Sequence, residues 1–143
     1  MARARVTVNT RNIARITQRV MSATEEAIYD VSDDLIRTSS ETAPHDKGIL
    51  EQSYGRDVRK MGSQIIAAVD YSVRADNGYD YAEWIHEGTY NLGPNSEAKA
   101  ASGGGTGMSG QSYEVGNKFL SGVLEGEGQA YRDYIEKVIK DSL

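Results

Sequence analysis

The chain is organised around one stretch in its second half, Tyr81-Ala82-Glu83-Trp84-Ile85-His86-Glu87-Gly88-Thr89. This stretch contains the only Trp and one of the two His residues. Because Ala82 and Ile85 are three residues apart, a short helix would place them on one side. Gly88 follows at the position where a left-handed residue commonly ends a helix. The stretch therefore predicts a short helix, with Trp84 at least half buried and anchored against a longer helix.

The composition is that of one modest acidic domain. The chain has 143 residues, a net charge of -5 and 38% hydrophobic residues, so a single domain over 1–143 with a thin core is expected. The negative charge disfavours bulk binding of nucleic acid. With no Cys, disulfides and thiol chemistry are excluded, which is typical of a reducing cytoplasm. We expect no signal peptide, and the longest apolar run, 65–69, is too short to span a bilayer.

Hydrophobic periodicity predicts a long helix in the first third of the chain. A short strand is predicted over 5–9, with an N-cap at residue 9 or 10. From there to about residue 40, apolar residues recur every three or four positions and form one stripe. Pro44 then ends the helix, since the residue before a proline avoids the helical region.

The remaining pattern predicts a small antiparallel sheet and a second long helix. Strands are predicted over 50–61 and 64–73, joined by a tight turn between them. A final helix is predicted over 117–141, with a kink or break at the two glycines of 125–128. The predicted fold class is α+β: one long N-terminal helix and a C-terminal helix packed on a small antiparallel sheet, with a long flexible loop.

That loop is the Gly/Ser-rich segment 90–116. Its centre, 102–110, has too few apolar side chains to offset the entropy of ordering, so we expect it mobile in a free subunit. It lacks the Gly-Lys-Ser/Thr ending of a phosphate-binding loop and follows no predicted strand. Ordering of the loop on assembly, and permanent disorder, both stay open. Residue types common at interfaces favour ordering against a partner; they are Tyr90, Leu92, Met108 and Tyr113.

The long first helix has an unusual distribution of charge. Bases crowd its start and acids its second half, which opposes the helix macrodipole. One explanation is a solvated face; another is a pair of complementary surfaces for head-to-tail contacts in a ring; a third is contact of the basic end with DNA or an acidic partner. The candidate interface residues are Arg11, Arg15, Arg19, Asp30, Asp33 and Asp34.

Catalytic and metal-binding patterns are weak. Glu83, His86 and Glu87 include the Glu-x-x-His spacing of di-iron bundles, but that chemistry needs the motif twice. No G-x-S-x-G nucleophile elbow is present. We expect no catalytic residue, no metal and no cofactor. A small metal-binding or enzymatic domain using these three residues, or a nucleic-acid-binding module using the basic N-terminus, stays open as an alternative.

Several short blocks after residue 41, taken in order, resemble the HK97 gp10-like family of neck, or head–tail joining, proteins of tailed bacteriophages. The positions that carry the resemblance are Ala43, Pro44, Gly48, Leu50, Tyr81, Ala82, Glu87, Gly88, Thr89, Phe119 and Leu120. The chain departs from the family pattern at Lys47, where Thr is usual, at Asn117-Lys118, which replace a proline before Phe119, and in the length of 90–116.

The resemblance implies a structural virion protein, of the kind also called tail completion or minor capsid protein. It would join the head connector to the tail as a closed ring, with a hexamer as the expected form. Its partners would be copies of itself and the neighbouring connector and tail proteins, with DNA only as the content of the channel. It implies no enzymatic activity, no membrane, and assembly in the bacterial host cytoplasm before residence in the virion neck.

Overall fold

The computed structural model describes residues 2–9, 18–45, 48–62, 64–74 and 80–143. Within these ranges the chain forms an α+β fold, which confirms the predicted class. The elements, in chain order, are β1 (Ala2–Asn9), α1 (Gln18–Thr42), β2 (Tyr54–Met61), β3 (Gln64–Tyr71), α2 (Tyr81–Glu87), α3 (Pro94–Ala101) and α4 (Ser121–Asp141).

The sheet has three antiparallel strands in the order β1-β3-β2. The central strand β3 is the most apolar one, as its position between two partners requires. Its alternate residues Ile65, Val69 and Tyr71 are buried on the face that meets the helices. A tight turn joins β2 to β3 where the sequence predicts it, with Met61 opposite Gln64.

Helices α1 and α4 pack on each other, and α1 lies on β3 and β2. Tyr71 connects the sheet to the last turns of α1 and to the residues just before α4. Its ring meets Phe119 edge-on, with 5.1 Å between centroids, and its hydroxyl lies 2.8 Å from Ser39 Oγ and 2.7 Å from Ser40 Oγ. Burial raises the pKa of Tyr71, so the phenol stays protonated and shares these hydrogen bonds with α1.

Several predicted boundaries need correction or fall outside the described residues. Strand β1 begins at Ala2 rather than at residue 5, and helix α4 begins at Ser121 rather than at residue 117. Helix α1 ends at Thr42 shortly before Pro44, as predicted, but its expected beginning over 10–17 lies outside the described residues. Strand β2 begins at Tyr54 rather than at residue 50, because a turn precedes it in which the Leu50 carbonyl accepts from the Ser53 N–H at 3.1 Å. Strand β3 ends at Tyr71, two residues earlier than predicted.

The sequence predicts a kink or a break in the last helix at the two glycines of 125–128, and the break is wrong. Helix α4 runs without interruption from Ser121 to Asp141, through both glycines. The segment 90–116 also holds a helix, α3, where the sequence indicated only a loop. Pro94 lies in the first turn of α3, a position that proline favours. The Gly/Ser-rich composition around it nevertheless predicts a loop rather than a helix.

Helix α2 spans the predicted residues 81–87, but it ends differently from the prediction. Gly88 is extended, with φ -73° and ψ 161°, rather than left-handed. A glycine is still needed there, because a Cβ would lie 2.6 Å from the Trp84 carbonyl oxygen, which accepts the Gly88 N–H.

Trp84 only just meets the prediction that it is at least half buried, and its predicted anchoring against the long helix gains no support, because Trp84 is not part of the hydrophobic core. Trp84 keeps 49% of its surface exposed, and its ring stacks on Tyr90 with 5.3 Å between centroids. The buried residues of α2 are Ala82 and His86. Helix α2 is therefore anchored by its smallest side chain and by a histidine, while the tryptophan faces outward.

We expect Phe119→Ala to lower the free energy of unfolding by about 3–5 kcal/mol, since it removes a fully buried ring from the centre of the core. Trp84→Ala loses mainly the stacking on Tyr90, worth about 0.5–1.5 kcal/mol. Urea denaturation of both variants measures the difference. Equal losses would contradict the placement of Trp84 outside the core.

Candidate functional site

The positions that carry the family resemblance come from three separate parts of the chain, and the structure brings five of them together. Ala43, Leu50, Ala82, Phe119 and Leu120 are all buried in the main hydrophobic core of the domain. Others of the set lie at the edge of this core: Pro44 and Gly88 are half-buried, and Tyr81, Glu87 and Thr89 are exposed. The blocks around Ala82 and Phe119 meet directly at a junction just before α4, where the Lys118 N–H donates to the His86 carbonyl.

His86 is the polar centre of this junction. Its ring meets Phe119 edge-on at 5.1 Å between centroids, and its Nε2 accepts the Ser121 N–H at 3.1 Å. Ser121 is the first residue of α4, whose own N-cap residue makes no side-chain capping bond. The imidazole of α2 therefore caps a helix 35 residues further along the chain. Since Nε2 accepts, the proton belongs on Nδ1, which lies 2.8 Å from Glu87 Oε1.

Lys118 explains why the chain departs from the family pattern just before Phe119. Its φ is 56°, and its N–H donates to the His86 carbonyl at 2.7 Å. A proline there could supply neither, because its ring fixes φ near -65° and removes the N–H. Lys118 also pairs with Glu87, and this contact, followed by that of His86, holds the pKa of Glu87 below its usual value.

His86→Leu and His86→Gln test the capping role separately from packing. Leu removes the acceptor and leaves the Ser121 N–H without it, which should cost about 1–3 kcal/mol of unfolding free energy. The Gln amide oxygen reaches the position of Nε2, so we expect less than half that loss. Chemical denaturation measures both. Equal losses would show that the ring matters for its shape alone.

The glycine-rich centre of 90–116 forms a tight turn against α1. Gly105 and Gly107 are buried, and the Gly105 N–H donates to Thr42 Oγ1 at 3.1 Å. The turn closes on itself through the Gly107 N–H, which donates to the Gln111 carbonyl at 3.0 Å, and through a bridge between Thr106 and Ser112. At Gly105 the chain comes so close to α1 that a Cβ would collide with the backbone of Thr38, so a glycine is needed there. The sequence did not indicate this packing, because glycine-rich composition predicts flexibility rather than close contact.

Two carboxylates hold the turn in place. The Met108 N–H donates to Asp34 Oδ2 at 3.1 Å, and the Ser109 N–H donates to Glu127 Oε1 at 2.9 Å. The Ser109 hydroxyl and the Tyr113 hydroxyl both donate to Glu127 Oε2, the second at 2.7 Å. Glu127 has 0% of its surface exposed, so these donors replace its hydration. Backbone N–H groups that a phosphate loop would offer to a ligand are occupied here by the protein's own acids.

Tyrosines of α4 extend the same network to α1. Tyr131 donates to Asp34 Oδ2 at 2.8 Å, and Tyr134 donates to Asp30 Oδ2 at 2.6 Å. The hydrogen bond to Asp30, with burial, raises the pKa of Tyr134 to about 12. Burial, with the bond to Asp34, raises that of Tyr131 as well. Both phenols therefore stay protonated as donors between the two long helices.

The candidate interface acids of α1 have partners within the chain. Asp30 and Asp34 accept from these tyrosines, Arg37 pairs with Asp34 at 2.7 Å, and Asp33 pairs with Arg56 of β2. Arg19 is exposed, while Arg11 and Arg15 lie outside the described residues. An interface role for this set stays a prediction, but the charges of Asp30, Asp33 and Asp34 serve the fold.

Of the candidate interface residues in 90–116, the two tyrosines have hydrogen-bond partners within the chain, and Met108 and Leu92 retain exposed surface. The Tyr90 hydroxyl donates to the Ile85 carbonyl at 2.6 Å, and burial raises its pKa to about 12. Tyr113 is held by Glu127, whereas Met108 is exposed and Leu92 is half-buried. Mobility of this segment in solution stays a prediction. Its hydrogen bonds with α1 and α4 can order it even though it has few apolar side chains.

The glycines inside α4 follow from the same network. A Cβ on Gly126 would lie 2.2 Å from the Tyr113 hydroxyl oxygen, so a larger residue would displace the ring that donates to Glu127. Gly128, two residues on, has open space around its Cα. Gly126 is unfavourable in a helix, but it is needed here to leave room for the ring of Tyr113.

These two glycines provide a matched pair of variants. Gly128→Ala should raise the free energy of unfolding by up to about 1 kcal/mol, the difference in helix propensity. Gly126→Ala should lower it by about 1–3 kcal/mol, since the Tyr113–Glu127 hydrogen bond is lost from a buried carboxylate. Thermal and urea denaturation measure both. Stabilisation by Gly126→Ala would contradict the packing of Tyr113 on α4.

A second polar cluster ties α3 to the end of α1. Lys99 Nζ donates to the carbonyls of Ser40 at 2.8 Å and Ala43 at 2.6 Å, which are left open where the helix ends. It also lies 3.1 Å from Glu51, whose other contact is His45 Nδ1 at 2.6 Å. Burial lowers the pKa of Lys99, and Glu51 opposes that effect.

Beside this cluster lies an apolar groove that the sequence did not indicate, because its walls come from four separate segments. It encloses about 650 Å³, with residues from the turn before β2, the segment after β3, helix α2 and the start of α3. Its apolar lining consists of Pro44, Ile49, Leu50, Val73, Tyr81, Ile85 and Tyr90.

The described part of the chain contains no group of three His, Cys, Asp or Glu side chains placed to hold a metal ion. The contacts of His86 are with Glu87, Ser121 and Phe119, so the alternative based on Glu83, His86 and Glu87 gains no geometric support. None of the helices in the described ranges has the length and apolar character needed to cross a bilayer.

Comparison of the chain with protein families, with curated proteins and with solved structures gave no match.

Proposed function

We propose that this chain is a structural protein of the phage neck, joining the head connector to the tail as a ring around the DNA channel. The observation that carries the proposal is the placement of the three blocks that resemble the HK97 gp10-like family. Their residues, separated by up to 77 positions between Ala43 and Leu120, are buried in the same hydrophobic core, and His86 joins two of the blocks through the N–H groups of Lys118 and Ser121.

The use of the buried polar groups agrees with a structural role. Glu127 orders the glycine turn, His86 caps α4, and Lys99 closes the end of α1. Each of these groups is engaged by hydrogen bonds within the chain rather than directed into a cavity. Active sites usually leave such groups facing substrate, in a cleft that perturbs them. The geometry therefore favours assembly over chemistry as the purpose of the domain.

A ring of identical subunits needs two different complementary surfaces on each copy. Within the part of the chain that the structure describes, no further strand pairs with the outer edges of β1 and β2, and the groove beside α2 is lined by apolar side chains. These are features through which neighbouring copies and the connector or tail proteins would make contact. DNA would pass through the ring as content of the channel, and the virion neck would be its location.

We expect the purified chain to form closed rings, with a hexamer as the expected form. Native mass spectrometry gives the number of subunits, and negative-stain electron microscopy shows the central channel. Addition of the protein to phage heads and tails that lack it should restore joined particles. A chain that stays monomeric at every concentration and leaves heads and tails separate would refute the proposal.

Two control measurements address the other functions. Binding of duplex DNA that falls steeply with added salt would favour the basic N-terminus as a nucleic-acid site. Tight binding of zinc or iron in calorimetry would favour a metal site at Glu83, His86 and Glu87. The neck proposal predicts neither result.

A further inference from the structure

We propose that, in the ring, the turn between β2 and β3 of one copy docks its exposed Met61 into the apolar groove of the next copy. This inference rests on the proposed ring and identifies the pair of surfaces that would close it. It is drawn from three observations: the exposure of apolar residues, the distance between the two surfaces and the distribution of charge.

The groove keeps large apolar side chains in contact with solvent. Ile49 is 59% exposed and Tyr81 is 45% exposed, both on its walls. Trp84 adjoins the same surface through its stacking on Tyr90. Aromatic residues and open apolar pockets of this kind are enriched at the centres of interfaces, where one anchor from the partner fills a pocket.

The turn offers an anchor of matching character. Met61 is 58% exposed at the end of β2, and Gly62 follows with φ 59°, which makes the turn tight and narrow. Methionine is unbranched and flexible, so it fits apolar pockets of irregular shape. The turn therefore presents one adaptable apolar side chain at its tip.

The two surfaces lie at opposite ends of the same hairpin. Leu50 of the groove comes just before β2 and Val73 just after β3, whereas Met61 is at the far end of both strands. Eight residues at about 3.3 Å each separate the ends by roughly 25 Å. A copy thus cannot fill its own groove with its own tip. Repetition of a contact between two different surfaces gives a head-to-tail arrangement, which closes into a ring.

Charge is complementary between the two ends. Residues 80–97, which include α2 and the start of α3, contain four acids and no Lys or Arg, and Arg74 is the one Lys or Arg among the described residues that line the groove. Residues 56–60 of β2 contain three bases and one acid. All three of those bases have internal partners: Arg56 pairs with Asp33, Arg59 lies 2.5 Å from Asp57 and Lys60 lies 2.6 Å from Glu25. Such solvent-exposed pairs contribute little stability, so their exchange for partners across an interface costs little. The opposite signs would steer tip and groove together.

The absence of cysteine makes disulfide trapping direct. Met61→Cys and Ile49→Cys are made in separate chains, mixed and oxidised. The control mixture pairs Met61→Cys with Lys137→Cys, which is equally accessible on α4. We expect at least about tenfold more covalent dimer containing one chain of each kind in the first mixture, because docked neighbours hold the two thiols at a high effective concentration. Circular dichroism of each variant checks that it folds.

Ring formation by the parental chain is measured in parallel, so the two proposals can fail separately. Rings without trapping above the control would overturn the docking of Met61 and leave the neck proposal standing. Trapping without rings would support the docking contact and count against the ring. A second pair of variants uses no cysteine: Met61→Asp should weaken self-association at least about tenfold, whereas Met61→Leu should preserve it. Equal association of these two would overturn the inference.

Discussion

The structure depends on the burial of one carboxylate. Burial of a carboxyl group without exposed surface is unfavourable unless hydrogen bonds replace its water, and Glu127 receives three, from the N–H and hydroxyl of Ser109 and from the hydroxyl of Tyr113. Those donors come from the glycine turn, which must approach so closely that Gly107 leaves no room for a Cβ. The ring of Tyr113 in turn requires Gly126 in the middle of a helix. One acid thus accounts for glycines that composition alone assigns to flexibility.

The same principle closes the ends of the helices. The start of α4 has no side-chain cap from its own N-cap residue, and the end of α1 leaves open carbonyls; a histidine from α2 and a lysine from α3 provide the missing partners. The two short helices thereby fix the positions of the two long ones. A chain with a thin apolar core gains specificity from polar contacts between elements that are far apart in sequence.

The sequence predicts what local periodicity encodes. The stripe of α1, the alternation of β3 and the extent of α2 are properties of neighbouring residues, and the structure reproduces them within a few positions. The glycine turn and the groove were not predictable in that way. The turn depends on Asp34 and Glu127, which lie 74 and 18 residues from the N–H groups they accept. The anchoring role predicted for Trp84 gains no support for a related reason: a rare aromatic residue suggests a core, but Ala82 and His86 are the buried residues of α2.

These internal contacts also narrow the choice of surfaces for assembly. The acids of α1 are engaged by Arg56, Arg37 and the tyrosines of α4, so their charge is largely compensated inside the subunit. The exposed pair of Asp33 with Arg56 contributes little, but an interface built on Asp30 and Asp34 would have to break the hydrogen bonds from Tyr134 and Tyr131 before forming new ones. The apolar residues at the two ends of the β2–β3 hairpin carry no such cost, since contact with a partner would remove them from water. If the chain assembles as proposed, the buried polar network that fixes the subunit therefore favours the ends of the sheet over the charged helix as the contact surfaces.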